Sequence, residues 1–413
     1  MKTMIIGLGP DYNYPGDFHQ WKLDNTRYAS NHGASLISRA LIKQLAADYV
    51  DDFSDIDNLN RTYDACVIAF ATHVTSWRDV SEYTSVIEKL KMPVHAFSLG
   101  IQDYSGSSTS VNNLHPSMVR LLEIVSDRSK YIGVRGNYTA SILYKHGFSN
   151  AVPIGCPTLY WPNDPKFKIT KPSTFNNPAV VYHRTLARPE LLHLISNIPL
   201  IGQDFLDEVV FTDNLKEDKK LLNAELADMK AQGAHDEFIN LIKSYGYFPE
   251  NFGTWFKKIG EHDFILGSRL HGCISALIRG IPAVMIARDL RVREISEFFK
   301  IPFVQSSRLH KYKSLQELYD ELDFEGFNKC YEMRFNNYVH LLEENGINHQ
   351  ITYSNKSMDF VFNQNDLLTG IKILNQDFKE LQRYESALKT AEIMHKILNK
   401  LPFAKSIGNR LLK

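Results

Sequence analysis

Residues 262–287 read "HDFILGSRLHGCISALIRGIPAVMIA". A short apolar run, "DFILGS", is followed by a longer one, "GCISALIRG", and then by "AVMIA". The first and third have strand length. The middle one is a helix, with Gly280 past its end and Pro282 following as stop signals. Strand, helix, strand in this order is a parallel βαβ unit of an open α/β sheet. The turn from Ser268 to Gly272 therefore lies at the carboxyl end of a parallel strand, where such sheets bind ligands.

That turn carries Arg269 and His271 between two apolar elements. The amides and dipole of a helix start favour an anion. Arg269 offers a planar fork for phosphate or carboxylate, and His271 can hand over a proton near neutral pH. Gly272 leaves the backbone unhindered for a close ligand. Two readings stay open on these residues alone. One is an anion site with a proton source. The other is an Arg–acid pair with a capping His at a domain interface.

The same alternation extends outward. Strand signals at residues 4–8, 64–71, 94–100, 131–136 and 151–155 interleave with helices at 31–46, near 79–91 and 115–127, and from Asn137 to a cap at Gly147. Residues 156–178, rich in Pro, Asn and Thr, read as a crossing between domains. Strands resume at 179–184, 198–203 and 208–212, and the charged stretch 215–244 reads as a solvated insertion. Arg184 ends the strand "AVVYHR" and Arg135 ends "YIGVR", so both should face the crevice; a salt bridge or a helix start, with Asn137 as N-cap, would also explain them. Asn31 and His32, with Gly33, stand at a helix start below the first strand, where an acceptor could be gripped.

Composition bounds the rest. At 413 residues the chain exceeds one ordinary core, so two domains with appendages are expected. Forty-seven basic residues balance forty-seven acidic ones, which argues against a nucleic-acid partner. The four cysteines, Cys66, Cys156, Cys273 and Cys330, show no CxxC spacing; three of them lie in or beside apolar strands or helices, which suggests reduced, buried small hydrophobes in a cytoplasmic protein, with no metal site. No run reaches the roughly 18–20 apolar residues of a membrane span, and the N-terminus reads as a strand, not a signal peptide. The tail, residues 389–413, carries six Lys and Arg residues against Glu392 alone, with Ile393, Ile397, Leu398, Leu401 and Phe403 as an apolar stripe. It suits peripheral membrane contact, and equally a helix packed back on the body.

Taken together and in order, "NHGASLISRAL", "YIGVRGNYTASILYKHGFSNAVPIGCPTL" and "DFILGSRLHGCISALIRGIPAVMI" resemble the polysaccharide pyruvyl transferases over residues 1–305. The chain departs from the family where many members have Asp-Pro and it has Cys156-Pro157. The resemblance implies a GT-B-like α/β fold of two doubly wound Rossmann-like domains facing a cleft: residues 1–165 on the acceptor side, 175–310 on the donor side, and 311–413 as a helical C-terminal extension. It implies transfer of pyruvate from phosphoenolpyruvate, a co-substrate rather than a cofactor, to a sugar or lipid-linked oligosaccharide as a cyclic ketal. Arg269, His271 and, by position, Arg184 would serve the donor. Two other classes compete: a GT-B glycosyltransferase using a nucleotide sugar, and a non-catalytic glycan-assembly subunit.

Overall fold

The computed structural model describes residues 1–11, 31–102, 113–183, 189–204, 235–287 and 289–352, with Ser386 and Thr390. Arg184, the expected strand at 208–212 and the basic tail lie outside the described residues.

The first half alternates β1 (Thr3–Gly7), α1 (His32–Leu45), β2 (Asp48–Tyr49), α2 (Ile56–Thr62), β3 (Ala65–Ala69), α3 (Ser81–Lys89), β4 (Val94–Phe97), α4 (Pro116–Arg128), β5 (Ile132–Val134), α5 (Asn137–Lys145) and β6 (Ala151–Pro153). Strands β2-β1-β3-β4 lie side by side, and a parallel bridge from Leu99 to Val134 joins them to the β5-β6 pair. Every pairing is parallel. The central strands are buried along their whole length, as continuous apolar runs covered on both faces should be.

The second half contains β7 (Pro178–Val181), α6 (Pro189–Ile195), β8 (Leu200–Ile201), α7 (His235–Tyr245), β9 (Gly246–Tyr247), α8 (Phe252–Ile259), β10 (Phe264–Gly267), α9 (Leu270–Leu277), β11 (Ala283–Ala287), α10 (Leu290–Phe299) and β12 (Phe303–Gln305). Its order, β12-β11-β10-β7-β8-β9, is again parallel throughout. The chain runs outward from β7 to β9, then returns to β10 on the other side of β7. That reversal makes the carboxyl ends of β7 and β10 a topological switch point, the natural ligand crevice of such a sheet. Two parallel doubly wound sheets of this kind form a GT-B-like fold.

Helices α11 (Leu315–Asp320) and α12 (Glu325–Glu344) follow. The second is no appendage. Tyr338 stacks on Tyr160 with ring centres 4.7 Å apart, and its hydroxyl donates to Gln44 Oε1 of α1 at 2.8 Å. Tyr331 donates to the Leu159 carbonyl at 2.8 Å. A single apolar cluster consequently runs from α1 through β7–β11 to α12.

Two sequence expectations need correction. Within the charged stretch, α7 buries Phe238 and Ile242, one helical turn apart, and Phe238 meets Tyr182 edge-on; this part is packed, not merely solvated. Asn137 is the first helical residue of α5 rather than its cap, because Gly136 holds the N-cap position.

Candidate active site

Arg269 occupies the N-cap position of α9, which has no side-chain cap among the described residues, so the first-turn amides can take another acceptor. Its Nε donates to the Tyr182 carbonyl at 3.2 Å, and its Nη2 to Asp204 Oδ2 at 2.5 Å, both side chains being about nine-tenths buried. The guanidinium is thus held between the end of β7 and the stretch after β8. The Arg–acid pair left open by the sequence is present. It offsets the charge of Arg269 but keeps its fork at the helix start.

His271, one residue into α9, directs Nε2 toward Cys156 Sγ at 3.6 Å. Burial comes first, then the positive charges of Arg135 and Arg291, in holding its pKa well below the usual imidazole value. The start of α1 abuts it from the other sheet. A Cβ on Gly33 would lie 2.8 Å from His271 Cβ and 2.4 Å from Gln203 Nε2, so only glycine allows this approach. Asn31 caps α1, its Oδ1 accepting from Ala34 N at 3.0 Å and from Gln203 Nε2 at 2.9 Å. His32 is buried, donates from Nε2 to the Pro249 carbonyl at 3.1 Å and stacks on Trp255. Burial pushes its pKa down to about 4. Asn31 and His32 therefore join the two halves beside the site. The room beside Gly272 is filled by Val181, which a Cβ would meet at 2.8 Å; the close approach expected of a ligand is made by β7 instead.

Arg135, just past β5, is only 1 % exposed. Its Nε donates to Ser98 Oγ at 3.2 Å, while its Nη2 has no hydrogen-bond partner among the described residues. Burial lowers its pKa, with the Cys156 sulfur and Glu294 acting in the other direction. Ser98, just past β4, adopts a left-handed backbone with φ of 68°, a strained state for a residue with a side chain. Its hydroxyl thereby reaches both Arg135 and, at 3.4 Å, Cys156 Sγ.

Cys156 follows β6 and is completely buried, but its surroundings are polar. Thr158 Oγ1 donates to its sulfur at 3.0 Å. Cys156 is the free, buried thiol the sequence suggests and belongs to the apolar cluster, but it also takes these hydroxyl donors, whereas Cys66 and Cys273 are buried thiols whose pKa burial raises. All four cysteines are free. Opposite, Glu294 of α10 reaches across to α5. Its Oε1 accepts from Thr139 N at 2.6 Å and its Oε2 from Thr139 Oγ1 at 2.9 Å.

The site thus brings together Arg135, Arg269 and His271 at the starts of α5 and α9, with Asn31 and His32 at its edge. Sequence reasoning missed Ser98, Cys156, Asp204, Arg291 and Glu294. Ser98, Cys156 and Asp204 each sit shortly beyond a strand's carboxyl end, as Arg135 does, so the same positional rule would have found them. Among the described residues, no three His, Cys, Asp or Glu side chains are grouped to hold a metal ion. No helix among them is long and apolar enough to cross a membrane.

Among solved structures, the UDP-GlcNAc 2-epimerase of Methanocaldococcus jannaschii, in complex with UDP-GlcNAc and UDP, is 12 % identical with a TM-score of 0.41, covering 83 % of this chain and 99 % of its own. That of Neisseria meningitidis, bound to UDP-GlcNAc, is 11 % identical with a TM-score of 0.38, over 84 % and 100 %. The wall teichoic acid polymerase TagF is 11 % identical with a TM-score of 0.32, over 92 % and 90 %. No curated protein matches the chain. The profile of the polysaccharide pyruvyl transferases matches residues 31–289, a span that contains every strand from β2 to β11 and all the site residues above except Arg291 and Glu294, and the chain belongs to that family.

Proposed function

We propose that the protein moves pyruvate from phosphoenolpyruvate to two hydroxyls of one sugar, in a polysaccharide or its lipid-linked precursor, forming a cyclic ketal and releasing phosphate. The observation that supports this reading is the meeting of Arg135, Arg269 and His271 at two helix starts, between the carboxyl ends of facing sheets. The donor is a small anion carrying phosphate and carboxylate, and fixed cations with preorganised amides suit both. Arg184, outside the described residues, is a further candidate for this role.

In the reaction, His271 gives a proton to the methylene carbon of the donor while a sugar hydroxyl adds to C2. Cleavage of the C–O bond to phosphate and attack by the second hydroxyl close the ketal. One hydroxyl proton balances the proton placed on carbon, and the other leaves with phosphate. With a lipid-linked acceptor the work is done at the cytoplasmic face of a membrane.

Incubation with phosphoenolpyruvate and a panel of oligosaccharides, followed by phosphate assay, tests the reading. Release that depends on an acceptor is the expected result. No release with any acceptor, together with turnover of a nucleotide sugar, would replace it with a glycosyltransferase. His271→Ala should lower kcat by about 10²–10⁴-fold while leaving donor binding within a few-fold. Unchanged turnover in that variant would remove His271 as the proton donor.

A further inference from the structure

The hydrogen bonds around Cys156 have a direction. Arg135 Nε can only donate, so Ser98 Oγ accepts from it at 3.2 Å and keeps its own hydroxyl proton. That proton points to Cys156 Sγ at 3.4 Å, and Thr158 Oγ1 supplies a second donor at 3.0 Å. A thiol accepting from two hydroxyls has one proton left to give, and His271 Nε2 lies 3.6 Å away. Nε2 is then an acceptor, and a neutral His271 must carry its proton on Nδ1. Among the described residues, Cys156 is the hydrogen-bond partner of the ring, which leaves Nδ1 as the nitrogen open to a ligand. Independently, Arg135 sits beside the same sulfur, 1 % exposed and with Nη2 unpartnered among the described residues, so a negative charge arising there would face a buried cation.

We propose that Cys156 is a positioning residue for proton transfer: its thiol fixes His271 as the Nδ1–H tautomer and re-supplies the ring through Nε2. This rests on the reading of His271 as proton donor to phosphoenolpyruvate. In the step, Nδ1–H breaks as the C–H bond of the new methyl group forms. The Cys156 S–H proton passes to Nε2, and the electron pair stays on sulfur, facing the two hydroxyls and the Arg135 guanidinium. When the first sugar hydroxyl has added to C2, its proton returns through Nδ1, and the Nε2 proton returns to sulfur. The arrangement explains how a ring kept neutral by burial and by Arg135 and Arg291 can serve as an acid without first becoming an imidazolium.

Nitrogen NMR of histidine-labelled protein tests the tautomer without any substrate. Wild type should show His271, assigned by its absence in His271→Gln, as Nδ1–H; Cys156→Ala should shift it toward Nε2–H, the form a free side chain prefers. In acceptor-dependent phosphate release, Cys156→Ala should lose about 10–10²-fold in kcat with KM for phosphoenolpyruvate nearly unchanged. Its residual activity should rise as pH falls, because the ring must then be protonated outright against the charges of Arg135 and Arg291. Cys156→Ser, which keeps a small donor, should recover part of the rate. An Nε2–H ring in wild type, or a Cys156→Ala variant with wild-type kcat and pH profile, would overturn the proposal. If wild type releases no phosphate with any acceptor, the functional reading fails, and the tautomer measurement still decides the role of Cys156.

Discussion

Just past β5, the guanidinium of Arg135 is 1 % exposed and keeps one nitrogen without a hydrogen-bond partner among the described residues. Leaving a buried charged donor unpaired costs a few kcal/mol, and replacing such a group with an apolar one of similar size is often neutral or stabilising. Arg135→Met should therefore leave the thermal midpoint unchanged or raise it. It should also weaken phosphoenolpyruvate binding by roughly 10–100-fold, the equivalent of one charge-assisted hydrogen bond of about 1.5–3 kcal/mol. Calorimetric titration beside a melting curve reads both. A loss of stability with unchanged affinity would assign Arg135 to the fold alone. Arg269 differs at this scale, since Asp204 already satisfies it. Both arginines were legible from their places after strands. What was not legible is which of them is compensated, because Asp204 is 65 residues from Arg269 in the chain.

Helices α5 and α10 belong to different sheets, yet the carboxyl of Glu294 performs for α5 the service of an N-cap. Burial raises its pKa to about 7, against the lowering effect of the Thr139 hydrogen bonds and Arg135. A carboxyl whose folded pKa is raised contributes its full stability below the unfolded value and loses it as pH rises through about 7. Glu294→Gln keeps an acceptor for Thr139 N but cannot ionise. It should match wild type near pH 4 and exceed it at pH 8, by at most on the order of 3 kcal/mol. Glu294→Ala should lose about 1–2 kcal/mol at either pH, as a removed cap does. Urea unfolding at the two values checks this, and parallel curves for Gln and wild type would mean that Glu294 is ionised throughout. Elements with strong periodicity, such as α1 and the strand–helix–strand unit at β10–β11, were readable from the chain. The two-residue strands β2 and β9 carry no pattern of their own; their neighbours in the sheet define them.

On the scale of the whole molecule, the order of elements announced two parallel sheets, but their closeness came from contacts that no local pattern records. His32 bonding to Pro249 and Tyr338 bonding to Gln44 are 217 and 294 residues apart. Such a joint buries His32, other rings are buried within the first half, and together they set the response of the fold to acid. Burial lowers the pKa of His32 and of His95 to about 4 each, and holds His73 and His271 well below the usual value of 6.5. Arg78 and Arg135 add to the effect at His73, and Arg135 and Arg291 at His271. For these groups the unfolded chain binds more protons than the folded one below the unfolded pKa. Their contribution is complete above pH 6.5 and is lost as pH falls toward 4. Each of His32 and His95 can account for up to about 3 kcal/mol over that window. Glu294 works in the opposite direction between its unfolded value of 4.5 and about 7, as one carboxyl against four imidazoles. The urea midpoint of the wild type should consequently fall steadily from pH 6.5 to pH 4.5. His32→Gln should be less stable than wild type at pH 7, through lost packing on Trp255, but its midpoint should decline less steeply with acid. A wild-type midpoint that stays level or rises over this interval would show that the buried rings do not remain neutral, and would place compensating negative charge beside them.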